Sequence, residues 1–395
     1  MTDTDALSRL RSLLLADDGL ADRLALVTDH DRFAVAAAEA ARSAGIEVSP
    51  DAIRGAGRRD PLDIARFSEM PVTMTRWPGS AWLPTAVVQS PGELGLDWLH
   101  FGDASLEEPF YEMSVQRARR LPINSLLRVC TPLSLLAGPL PDDAAPDGLI
   151  FHMSRCGSTL VSQMLAAMPG SVVVSEAAAL DSVVQLAHSH PEVSLQEQVA
   201  LLRGMAAALG RDRSGGRCRY VIKTDSWHTL ALPLFRAAFP DTPWIFQFRN
   251  PVEVMVSQMR EPGSQTVPDA RWAQLYGIDD PLSLPRETYV ARVLHRVARA
   301  AVDNADLGGE IFVDYAELPR AVEKRILPHF GIAPPPEAVQ AMHGAAQWNA
   351  KAPIFAFESD VEEKRRSAGE SVLNATAAHL DPLHRELTAL ARRIA

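Results

Sequence analysis

From residue 149 onward the chain alternates two hydrophobic patterns. Short apolar runs recur at 149–153, 172–175, 220–223, 244–248 and 311–314. Unbroken runs of this length suit strands buried on both faces. Between and after them lie stretches at 159–167, 195–209, 229–239, 252–260, 287–303 and 320–330, where apolar residues return at helical spacing. The alternation predicts an α/β fold over residues 147–395, a parallel sheet flanked by helices. Ligands of such sheets bind beyond the carboxyl ends of the strands. The polar residues that fall there are Arg155, Glu176, Lys223, Asp225, Arg249 and Asp314.

The first 146 residues follow other rules. Leu7, Leu10, Leu13 and Leu14, then an Ala-rich run from Phe33 to the turn at Gly45, predict a helical N-terminal region over 1–57. Residues 58–146 are rich in proline and in aromatics, among them Trp77, Trp82, Trp98, Phe101, Phe110 and Tyr111. They read as an accessory α/β or lid region. Residues 98–101 suit a strand, and His100 there suits a structural role. Pro139, Pro141 and Pro146 mark a linker before the α/β domain.

Composition narrows the classes. With 47% hydrophobic residues in 395, sizeable cores can form. A net charge of −10 does not favour nucleic-acid binding. Cys130, Cys156 and Cys218 are scattered, so a reducing compartment is expected, with no zinc site and no other metal. The acidic start, Met1 to Asp5, lacks a signal peptide's layout, and no apolar run is long enough to span a membrane. A cytoplasmic protein is expected. The oligomeric state is left open.

Two segments carry the chemistry. Arg155-Cys156-Gly157-Ser158-Thr159-Leu160 links the first strand of the α/β domain to its first helix. A tight Gly/Ser turn opening a helix presents backbone N–H groups to an anion. It is not an ATP-type loop, because His152 stands where that motif has its first Gly and Ser158 where it has its Lys. The cysteine does not fit a thiol phosphatase, since Ser162 replaces the Arg required six places on. The second segment is Arg249-Asn250-Pro251 at the end of another strand, with Ser257 eight places after the Arg. Pro251 suits a helix's first turn. Arg249 and Ser257 can then converge on one phosphate.

In these two segments the chain resembles sulfotransferases that use 3′-phosphoadenosine 5′-phosphosulfate (PAPS). Arg155 to Thr159 is similar to the family's 5′-phosphosulfate loop, and Arg249 with Ser257 to its 3′-phosphate motif. The resemblance extends over roughly 147–330. It implies a P-loop-like fold and transfer of a sulfonate from PAPS to a hydroxyl or amine on a small-molecule or peptide acceptor, without a metal. It further implies that Arg155, Cys156, Gly157, Ser158, Thr159, Leu160, Arg249 and Ser257 bind the nucleotide. Lys364 and Arg365 would act as the family's basic C-terminal loop. Glu176, after the second strand, is the first candidate for the base that deprotonates the acceptor, with Asp225 and His228 as rivals. Lys223 resembles a lysine that steadies the leaving group. Tyr315 to Leu318 resembles a structural Tyr-Glu-Asp-Leu. Two alternatives stay open: a P-loop kinase or nucleotide hydrolase, and a non-catalytic sulfotransferase-like binding module.

Overall fold

The computed structural model describes residues 3–57, 71–90, 92–140, 145–190, 192–213, 216, 219–352, 354–358 and 360–393. Cys218 and four residues of the expected linker, 141–144, lie outside the described residues.

Five strands form a parallel sheet: β5 (Gly148–His152), β6 (Ser171–Ser175), β7 (Arg219–Lys223), β8 (Trp244–Phe248) and β9 (Glu310–Asp314), in the order β6-β7-β5-β8-β9. Each lies within one residue of its expected position. Alternate residues feed two cores. Ile150, Val173, Val221, Ile245 and Ile311 pack with Leu160, Met164 and Met342 on one face. Leu149, Phe151, Ile222, Trp244, Phe246 and Phe312 pack with Leu202, Phe235 and Val290 on the other. The topology reverses direction at β5, between β7 and β8, so crevices open at the carboxyl ends of these three neighbours.

Two helices differ from expectation, each because of a proline. The stretch 229–239 becomes a 3₁₀ segment, Ser226–Ala231, followed by the helix Leu232–Ala238, with Pro233 in that helix's first turn. The stretch 320–330 contains a wide turn at Val322–Ile326, where Leu327 N–H reaches back to Val322 O. Pro328 has no N–H for the ordinary bond four residues back.

The N-terminal region forms the helices α1 (Asp3–Ala16), α2 (Asp18–Ala25), α3 (His30–Ser43) and α4 (Pro50–Ala56). After it, β1 (Val72–Thr73), β2 (Trp82–Ser90), β3 (Glu93–His100) and β4 (Val129–Pro132) make a second sheet, ordered β1-β4-β3-β2. His100, the last residue of β3, is buried and bonds Asp22 of α2 at 2.9 Å. This part docks closely on the α/β domain. A side chain at Gly204 would meet Leu136 O at 2.0 Å, so the helix Leu195–Leu209 needs glycine there. Arg211 donates to Pro78 O and Trp82 O and lies over the rings of Trp77 and Trp98. No described helix is long and apolar enough to cross a membrane.

Candidate functional site

The turn after β5 is left-handed. Ser154, Arg155 and Gly157 have φ of 63°, 51° and 88°. Such angles cost energy for Ser and Arg and persist only where surroundings impose them. Here Gln258 Nε2 donates to Ser154 Oγ at 3.1 Å and Gln247 Nε2 to Cys156 O at 2.7 Å. Ser154 N–H donates to His152 Nδ1. Gly157 is required twice over, because a Cβ there would also meet the Tyr315 ring at 2.6 Å. The helix Ser158–Ala166 begins at once, with its first N–H groups facing the turn. Arg155 bonds the carbonyl and the carboxylate of Glu261, and its Nε is buried without a partner. The Cys156 side chain points into the core, where burial raises its thiol to about 11.

At the end of β8, Arg249 is buried and tightly held. It donates to Glu253 Oε2 at 2.6 Å and to Asp360 Oδ1 at 3.2 Å, and it lies 3.9 Å from the Tyr315 ring centre. Glu253 is one turn along the helix Pro251–Arg260, and Ser257 one turn further, so all three share a face. The Ser257 hydroxyl donates to Glu253 O at 2.9 Å. Lys364 Nζ pairs with Asp360 Oδ2 at 2.7 Å. Arg365 reaches Glu253 Oε1, so Glu253 binds one arginine at each carboxylate oxygen.

The ends of β6 and β7 carry the acidic groups. Glu176, at φ 52°, forms an ion pair with the fully buried Lys223 and lies 3.5 Å from His152 Nε2. Burial alone would raise the Glu176 carboxyl. Lys223 and His152 outweigh it and hold the group well below the usual carboxylate range. Asp225 is shifted the other way. Burial, with the neighbouring Glu176 and Asp181 carboxylates, raises it to about 7 against the pull of His228 and Lys223. His228 is sealed: Asp225 N–H donates to its Nδ1, and its Nε2 bonds Asp181 Oδ1 at 3.0 Å. Trp227 Nε1 donates to the same oxygen at 2.7 Å. Ligand atoms of Asp181, Asp225 and His228 lie within 4.8 Å of one another.

These groups surround one cleft of about 520 Å³. Arg155, Gly157, Ser158, Thr159, Leu160, Glu176, Asp225, Arg249, Ser257 and Lys364 line it. Four expected site residues stand behind its walls. Cys156 and His228 are in the core, Lys223 lies beneath Glu176, and Arg365 acts on Arg249 only through Glu253. Both ring nitrogens of His228 are engaged. Sequence reasoning missed Glu253, Asp360 and Glu261 as partners of the cleft cations, and Phe110, Tyr315 and Lys351 as lining residues. Of these, only Glu253 had a local signal, its four-residue spacing from Arg249.

A family model described as "Sulfotransferase family" matches residues 149–335. Among solved structures, the chain is similar to sulfotransferase STF1 from Mycobacterium tuberculosis H37Rv, at 18% identity over 51% of this chain and 72% of that one, with a TM-score of 0.32. It is also similar to the sulfotransferase domain of the curacin biosynthetic pathway, at 15% identity over 62% and 96%, TM-score 0.36. A sulfotransferase from Alicyclobacillus acidocaldarius gives 13% identity over 62% and 98%, TM-score 0.35. No curated protein matches. Residues 149–335, which hold four of the five parallel strands whole, the left-handed turn and Arg249, match the sulfotransferase family.

Proposed function

We propose that the protein transfers a sulfonate group from PAPS to a hydroxyl or amine acceptor in this cleft. One observation carries the reading. A left-handed turn that only glycine can complete at position 157 and a buried, pre-positioned Arg249 open on the same cleft from the ends of adjacent strands. The residues fit a donor bearing two anionic ends. The turn's N–H groups and the unpartnered Nε of Arg155 suit the phosphosulfate. Arg249, Ser257 and Lys364 suit the 3′-phosphate.

In the reaction the acceptor oxygen or nitrogen forms a bond to sulfur. The bond from sulfur to the 5′-phosphate oxygen breaks, and its electron pair leaves on adenosine 3′,5′-bisphosphate. The turn's donors stabilise charge on the sulfonate oxygens. The acceptor's proton passes to Asp225. A base works best with a pKa near the working pH, and Asp225, at about 7, has it. Glu176 is the first candidate in the sequence, but its pairing with Lys223 makes it the weaker base and gives it another task, holding the lysine in place.

Titration calorimetry tests the donor reading. Adenosine 3′,5′-bisphosphate should bind and ATP should not, because the loop has no lysine to reach the β- and γ-phosphates. Binding of ATP alone would favour a kinase or hydrolase. Binding of the bisphosphate with no transfer from labelled PAPS to any acceptor would favour a binding module.

A further inference from the structure

We propose that Phe110 is the acceptor-side wall of the cleft, and that through it the accessory region selects acceptors whose hydroxyl is carried on a flat apolar ring. This rests on the donor reading above. Phe110 lines the cleft although it lies 44 residues before the turn's first left-handed residue and comes from the region preceding the parallel sheet. Its ring stands 5.5 Å from Lys223 Nζ, so it borders the Glu176–Lys223 pair.

The loop that carries it is clamped from both sides. Gln163 Nε2, on the helix that opens at the turn, donates to Glu107 O at 3.1 Å. On the accessory side the Tyr111 hydroxyl donates to Pro84 O at 2.8 Å, and its ring stacks on Phe101. A partly exposed ring held this firmly is a surface, not a loose cover.

Several polar groups of the cleft lining are already committed. Glu176 is paired with Lys223, and both nitrogens of His152 are bonded, one to Ser154 N–H and one to Thr224 O. Gln265 Nε2 donates to Ser226 Oγ at 2.7 Å across the cleft lining. An acceptor with many hydroxyls would leave most of them without partners here. One hydroxyl on a ring needs a single proton acceptor, Asp225, and an apolar face, Phe110.

The test is calorimetric binding of 2-naphthol to the full chain saturated with adenosine 3′,5′-bisphosphate. Wild type should bind it. Phe110→Ala should weaken naphthol about tenfold, and Phe110→Tyr, which keeps the ring, by less than about threefold. Affinity for the bisphosphate should be unchanged in both. If Phe110→Ala fails to fold, Phe110→Leu keeps an apolar side chain without the ring and should weaken naphthol several-fold. Naphthol binding that is absent in wild type, or unaffected by loss of the ring, or lost equally in Phe110→Tyr, overturns the proposal while leaving the donor reading intact. Failure of wild type to bind the bisphosphate overturns the donor reading and this proposal with it.

Discussion

The Arg249 end of the cleft and the Glu176 end are assembled from different kinds of sequence. Arg249, Glu253 and Ser257 come from one strand and the helix after it, and their spacing alone puts them on one face. The other end draws Phe110, Glu176, Lys223 and Asp225 from three separated segments. The electrostatics differ as well. At the first end, arginines and a lysine are bridged by carboxylates. At the second, one carboxylate is locked ionised by a buried lysine while its neighbour is raised to about 7. The contrast suggests that one end is built to hold charge and the other to move a proton.

Substitutions at each end can break that contrast, and the largest effect is expected at the proton-moving end. Asp225→Asn should cut turnover by about 10²–10⁴ while bisphosphate affinity stays within about twofold. The wild-type rate should rise with pH through about 7, as the carboxylate forms, and the variant should lose that limb. Glu176→Gln should cost less and keep the limb. The reverse ranking in a pH–rate series would return the base role to Glu176.

Next comes the buried pair. Lys223→Met leaves the Glu176 charge without its partner and should cost about 3–5 kcal/mol of stability at neutral pH. Adding Glu176→Gln should restore part of the loss in denaturant unfolding. If the two losses simply add, the pair is not coupled.

Arg249→Ala should weaken the bisphosphate by roughly 10–150-fold, the loss of charge-assisted bonds worth about 1.5–3 kcal/mol. Adenosine 5′-phosphosulfate, which lacks the 3′-phosphate, should be nearly unaffected. Equal losses in parallel titrations would make Arg249 purely structural. The smallest effect sharpens the contrast from the same end. Asp360→Asn removes a half-exposed competitor for Arg249 and Lys364, and should tighten the bisphosphate about twofold to fivefold. Weaker binding would mean that Asp360 orders the site.

The sheet was legible because each strand is a short apolar run of five residues paired to parallel neighbours. The turn and Arg249 were legible because their residues are neighbours in sequence or one helical face. Phe110 was not, since nothing local tells that an aromatic before β5 will be carried to Lys223. Nor was the ranking of Glu176 and Asp225. Both are acids just past strand ends, and their difference comes from Lys223, which points at one of them. The sealing of His228 likewise depends on Asp181, 47 residues away.

The carboxylates bonded to Arg155, Arg249 and Lys364 serve as resident counterions. In a protein of net charge −10 they mute the attraction that the cleft would exert on any passing anion. A ligand enters by exchange: it must offer each cation at least what Glu261, Glu253 or Asp360 already gives. A lone phosphate can outbid one of them and gains little. A molecule with charges spaced to meet both ends gains at several points together, in exchange for the exposed Glu261 and the half-exposed Asp360. Discrimination of this kind depends on the distance between charges more than on their number, and it makes the cleft a ruler for anions.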